Sequence, residues 1–112
     1  MSDTGTLLGL AKRAGLLTAG EDACLMQIRR GKAHCIVLAN DAGENAKKRF
    51  MNKAVHYQLQ IVSPLSKEQL GAAIGDEQRV VIVVTDKGFA RKIIESVTDN
   101  SGGEGLDKTA RI

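Results

Sequence analysis

The chain has 112 residues, 43% of them apolar, a net charge of +3 and only three aromatic side chains, Phe50, Tyr57 and Phe89. That length allows one compact domain and leaves no room for a second core. So few aromatics exclude a broad platform for stacking single-stranded bases, and apolar runs no longer than that of residues 80–84 fall far short of the ~20 residues that span a bilayer.

Leu7, Leu10, Ala11 and Ala14 recur at helical spacing before Gly15 and predict a first helix over residues 4–14. "LLTA" (residues 16–19) reads as a short strand, after which Gly20 opens a second helix that turns Leu25 and Ile28 inward and stops at Gly31. Glu21 and Asp22 suit the positive end of that helix, and Thr18 with Glu21 has capping-box spacing, so neither acid demands a catalytic role. "CIVLA" (residues 35–39) is the next strand, and the helix after it carries Ala46, Phe50, Ala54 and Tyr57 on one stripe. In "QLQIVS" (residues 58–63) apolar residues alternate with glutamines, a strand pattern closed by Pro64. Ser66 and Gln69 form a capping-box pair at the start of a short helix that runs through Leu70, Ala73 and Ile74 to Gly75. The β-branched run in "RVVIVVT" predicts a strand buried on both faces, and Asp86 then caps a last helix hiding Phe89, Ala90, Ile93, Ile94 and Val97. Helices and strands alternate throughout, which predicts an α/β fold, a three-layer α-β-α sandwich, over residues 1–98. From Asp99 the composition turns glycine-rich and polar, and residues 99–112 are expected to form a flexible tail.

Between residues 29 and 53 there are seven Lys/Arg against Asp41 and Glu44, a local excess larger than the whole-chain charge and a footprint for polyanions. Cys24 and Cys35 are the only cysteines and no signal-peptide pattern opens the chain, so a reducing cytoplasm, no disulfide and no metal site are expected. There is no GxGxxG or Walker-type loop, and neither His34 nor His56 sits in a nucleophile motif. No cofactor and no catalytic activity are therefore expected.

The segments "LLGLAKRAGLLTAGEDACLMQIRRGKAHCIVLANDAGENAKKRF", "LGAAIG" and "RVVIVVTDKGFA" resemble the bacterial YlxQ-like branch of the ribosomal-protein superfamily that binds kink-turn RNA, over roughly residues 7–97. The resemblance implies a mixed four-stranded sheet, no enzymatic activity, and structured RNA, a kink-turn or ribosomal RNA, as partner in a ribosomal or other ribonucleoprotein setting; nothing in the sequence suggests more than a monomer. It places the RNA contacts at the start of the second helix, where Gly20 keeps the family glycine while Asp22, Ala23 and Met26 stand where the family has asparagine, glutamate and lysine. It adds Glu21, Arg30 at the end of that helix, Asn40 with Asp41 opening the third helix, and Lys47 on it. Lys67 at the start of the fourth helix and Gln78 with Arg79 in the "GDEQR" loop complete the set. An aspartate has no amide donor and a methionine no charge, so those departures leave a second expectation open: a protein-interaction module on the same fold. A small α/β enzyme or metabolite-binding domain would need an apolar pocket with convergent polar groups, for which the sequence offers no candidate.

Overall fold

A computed structural model describes residues 3–100. Five helices and four strands alternate: α1 (Thr4–Arg13), β1 (Leu17–Ala19), α2 (Glu21–Arg29), β2 (Cys35–Leu38), α3 (Glu44–Tyr57), β3 (Gln60–Val62), α4 (Lys67–Ala73), β4 (Val81–Val84) and α5 (Lys87–Asn100). The strands form one mixed sheet in the order β1-β4-β2-β3, in which β4 runs antiparallel to both its neighbours and β2 pairs parallel with β3. Every residue of the two inner strands, β2 and β4, is buried, as the β-branched run in β4 requires of a strand covered on both faces.

Alternate strand residues feed two cores. Cys35, Val37, Ile82 and Val84 pack with Leu8 of α1, Leu70 of α4 and Ala90 and Ile93 of α5. Ile36, Leu38, Val81 and Val83 pack with Cys24 and Ile28 of α2 and Phe50 and Ala54 of α3. This is the expected α-β-α sandwich, with α1, α4 and α5 on one face and α2 and α3 on the other. Phe50 alone, fully buried, contributes ~1.5–3 kcal/mol.

The helix ends hold several surprises. In α1 the buried stripe is Thr4, Leu8 and Ala11, while Leu10 is 46% exposed, because the helix packs on α5 through a buried Thr4–Ser96 hydroxyl pair at 2.6 Å. Both bonds of the Ser66–Gln69 capping box are made, and Asp86 Oδ2 accepts from the Phe89 N–H at 2.8 Å. The Thr18–Glu21 box is not made: Thr18 lies inside β1, and its hydroxyl accepts from Gln27 Nε2 at 3.3 Å. α3 begins at Glu44, not at Asn40 and Asp41, which lie in the preceding loop. α5 runs on to Asn100, two residues past the predicted limit, and the rest of the predicted tail, residues 101–112, lies outside the described residues. Among the described residues no helix is long and apolar enough to cross a membrane.

Because β1, β2 and β3 point one way and β4 the other, one end of the sheet gathers the exits of three strands and the entrance of the fourth. That rim receives the starts of α2, α3 and α4. The opposite end holds the α2–β2 link, where the His34 N–H donates to the Val84 carbonyl at 2.8 Å, and the start of α5.

Candidate functional site

At the rim, α2 is entered through Gly20, whose φ of 99° and ψ of 142° belong to a region that side-chain-bearing residues avoid. Its N–H donates to the Val81 carbonyl at 3.2 Å. A Cβ on Gly20 would lie 3.5 Å from Arg79 Nη1, so the guanidinium rests over the entry to α2. Arg79 is held there by two anchors: its Nε donates to Asp76 Oδ2 at 3.0 Å, and its backbone N–H donates to the Lys67 carbonyl at 3.1 Å. The Lys67 N–H donates in turn to Asp41 Oδ1 at 2.8 Å. On the other flank, Arg49 Nη1 of α3 donates to Glu21 Oε1 at 3.1 Å. The starts of α2, α3 and α4 and the loop before β4 are thus laced into one surface.

The loop of residues 75–79 owes its shape to Gly71. A Cβ at this α4 position would overlap the Glu77 carbonyl and come within 3.0 Å of Gln78 Cα, while the Asp76 N–H donates to the Gly71 carbonyl at 2.8 Å. Close backbone approach therefore presses the loop carrying Gln78 and Arg79 onto the helix.

Two of the helices that start at the rim begin differently from the other three. Asp3, Ser66 and Asp86 cap α1, α4 and α5 with side-chain hydrogen bonds. α2 and α3 start from Gly20 and Gly43 with no side-chain cap. Their first N–H groups have no partner within the helix, and they sit at positive dipole ends that favour an anion or an acceptor edge.

Gly20, Glu21, Asp22, Lys67 and Arg79 come together at this rim, with the exposed Asn40 and Gln78 in the adjoining loops. Two residues depart from the expected placement. Arg30 is the C-cap of α2, at the far end of the helix and about 15 Å from Gly20 at 1.5 Å per residue. Lys47 lies in the first turn of α3, but about 160° round the helix from Arg49, the residue that faces α2. The rim is mixed in charge, with Glu21, Asp22, Asp41 and Asp76 among Arg49, Lys67 and Arg79. Arg49 is the residue that sequence reasoning missed. Its place beside the Phe50 stripe marks it as flanking the buried face, but which flank meets α2 follows only from the strand order.

Behind the rim, Cys24 Sγ donates towards the Thr18 carbonyl at 3.3 Å. Burial pushes its thiol from 9.0 up to about 12, as it does for Cys35, so neither is a reactive thiolate at neutral pH. Among the described residues no cluster of three or more His, Cys, Asp or Glu could hold a metal ion.

The model of the ribosomal protein L7Ae/L30e/S12e/Gadd45 family matches residues 3–94. The chain belongs to this family. Within it, the chain is 42% identical over 88 residues to the RNA-binding protein YlxQ of Bacillus subtilis (strain 168), an alignment covering 79% of this chain and 88% of that one. It is 38% identical over 91 residues to the RNA-binding protein YlxQ of Enterococcus faecium, covering 81% and 87%. These similarities make it a YlxQ-like member. Among solved structures, a protein with unknown function from Bacillus halodurans superposes with a TM-score of 0.82 at 36% identity, covering 88% of this chain and 99% of that one. The Giardia lamblia 15.5kD RNA binding protein superposes with a TM-score of 0.70 at 19% identity, covering 85% and 82%, and shares the L7Ae-family fold.

Proposed function

We propose that this chain binds structured RNA through the rim around Gly20, reads the bend of a kink-turn by shape, and acts within a ribosomal or other ribonucleoprotein particle without catalysing a reaction. The observation that carries the reading is the meeting of the uncapped α2 start with Arg79, whose guanidinium sits 3.5 Å from where a Gly20 Cβ would be. Free N–H donors suit base edges or phosphate, and a guanidinium fork suits two phosphate oxygens at once. RNA helices are recognised mainly by shape, backbone and splayed bases, which fits a rim that offers donors and charges but no aromatic platform. The names of the YlxQ relatives, both RNA-binding proteins, point the same way. Asp22 and Glu21 then accept from guanine amino groups, in place of the amide and carboxylate of the family pattern.

A second reading keeps the fold and changes the partner to a protein. It is favoured by Met26, 53% exposed on the outer face of α2 between Asp22 and Arg30, where a lysine would favour RNA. The experiment that separates the two measures binding of a kink-turn RNA against the same RNA with its G·A pairs disrupted, across a salt series. The RNA reading expects a clear preference for the intact kink-turn and an affinity that falls with salt. Equal affinity for both RNAs removes kink-turn recognition, and a flat salt response removes the phosphate contact assigned to Arg79.

A further inference from the structure

α1, α2 and α3 all start at the Gly20 end of the sheet and descend from it, and their charges follow their dipoles. Asp3, Glu21, Asp22 and Glu44 sit at their starts, and Lys12, Arg13 and Arg29 in the last turns of α1 and α2. Helix electrostatics alone explain these charges. α5 runs the other way, entering from the far end, and the same rule would place acids in its first turn. It has none there. Its first two turns carry Lys87, Arg91 and Lys92 instead, all exposed. The one acid at this helix entrance, Asp86, is engaged in capping the Phe89 N–H.

We infer that this basic end of the molecule is a second RNA-binding surface, on which Lys87, Arg91 and Lys92, with Lys32 and His34 from the α2–β2 link, hold the phosphate backbone of a duplex segment separate from the one at the Gly20 rim. None of Lys32, Lys87, Arg91 and Lys92 has an ion-pair or hydrogen-bond partner for its side chain among the described residues. Cations left unpaired and placed against the helix dipole are not explained by folding stability. Lys87 and Arg91 stand one helical turn apart, ~5–6 Å between Cβ atoms, and line an open groove of about 540 Å³ that His34 borders and in which Glu95 is the one acid. Arg91 supplies a planar fork for phosphate oxygens, and the lysines supply mobile point charges. The groove contains no Trp, Tyr or Phe, so it lacks the aromatic anchors of a protein interface. Arg30, which the family pattern assigns to the RNA face, belongs by position to this end of α2. The two surfaces lie at opposite ends of a molecule measuring 32 × 28 × 26 Å, so one copy can join two RNA segments that do not touch each other.

The inference rests on the preceding reading only in taking the anion to be RNA, and it is tested apart from it. The probe is a plain, fully paired RNA duplex with no kink, titrated against the full chain and against the K87E/R91E/K92E variant across a salt series. The variant is expected to bind the duplex at least ~10-fold more weakly, with a salt slope lower by about 2–3, close to one unit per lost phosphate contact. The separate K32E variant, altered on a different element, is expected to weaken the duplex in the same direction. Binding of kink-turn RNA at the Gly20 rim is expected to retain its preference for intact G·A pairs in both variants. Wild-type protein holding an immobilised kink-turn RNA is expected to capture the free duplex, and the triple variant is not. Equal duplex affinity in wild type and triple variant overturns the inference, as does polyglutamate displacing the duplex at equal charge concentration. If kink-turn recognition fails in the wild type while the duplex results hold, the Gly20 rim assignment falls and the second surface stands.

Discussion

Gly71→Ala tests how the rim is built. The added methyl group would overlap the Glu77 carbonyl and stand 3.0 Å from Gln78 Cα, inside the ~3.5–4.0 Å of an ordinary carbon contact. Gly71 is buried, and the obstacle is backbone, so no side chain can swing aside to make room. The loop must lift off α4, which threatens the Asp76 N–H bond to the Gly71 carbonyl and the Arg79 N–H bond to the Lys67 carbonyl. Overpacking of this kind costs ~1–3 kcal/mol, to be set against the ~0.5–1 kcal/mol that alanine gains over glycine inside a helix. Because the obstacle is backbone, the upper part of that range, ~2–3 kcal/mol, applies, and the resulting net loss of about 1–2.5 kcal/mol corresponds to a Tm lower by roughly 4–20 °C in a domain of this size. Thermal unfolding measures that loss, and kink-turn RNA affinity measured well below the transition reads the displacement of Gln78 and Arg79. An unchanged Tm refutes the packing argument. A lowered Tm with unchanged RNA affinity removes the residue 75–79 loop from the RNA surface.

Two further outcomes follow from single side chains. Met26→Lys restores a cation on the exposed face of α2 and is expected to strengthen kink-turn binding and steepen its salt slope by about 0.7–0.9; no change in an RNA titration would mean that the RNA docks away from that face. For the two buried thiols the folded-state pKa of about 12 lies above the unfolded value of 9.0, so the folded chain keeps protons that the unfolded chain releases. Their contribution is complete below about pH 9 and is lost as pH rises towards 12, by up to ~1.4 kcal/mol per pH unit for each thiol. Urea midpoints at about pH 8 and pH 10.5 are expected to fall less in a Cys24→Ala/Cys35→Ala variant than in the wild type, and equal falls would sink the assignment.

How much of this was legible beforehand depends on whether the cause lies in neighbouring residues or distant ones. The two inner strands and the Ser66 and Asp86 caps could be read because each is decided within a few residues: a run of β-branched side chains, or an oxygen three positions from a free N–H. The start of α3 could not, because Asp41 spends its carboxylate on the Lys67 N–H, 26 residues away, rather than on the helix that follows it. Thr18 misled for a related reason: pairing of β1 with β4 holds it in the sheet, out of reach of the α2 start it seemed placed to cap. The Glu21–Arg49 and Gly20–Arg79 contacts depend on which strands are neighbours, and the order β1-β4-β2-β3 leaves no local trace in the residues themselves. The seven-cation stretch was visible as a number, but the fold divides it, sending Arg29, Arg30 and Lys32 to one end, Lys47, Lys48 and Arg49 towards the other, and leaving Lys53 further along α3.

On the proposed RNA reading, the mixed charge of the rim has a use beside the uncapped helix starts. An all-cationic ledge beside free N–H groups would attract any phosphate and select little among RNAs, because phosphate contacts position without reading. Here Glu21 is tied to Arg49 and Asp76 to Arg79, and both pairs are partly exposed, so their ion pairing is worth at most ~1 kcal/mol each. Such weak pairs can be exchanged: a phosphate can take over a guanidinium while the released carboxylate accepts from a guanine amino group. A continuous duplex supplies phosphates at its surface and offers each guanine amino group only through its one unpaired hydrogen, in the minor groove at the fixed spacing of the helix, so the two halves of that exchange are not brought to one carboxylate–guanidinium pair. A kinked RNA with sheared G·A pairs presents both together. The arrangement of opposite charges around Gly20, rather than the net charge, is therefore what would distinguish bent RNA from straight.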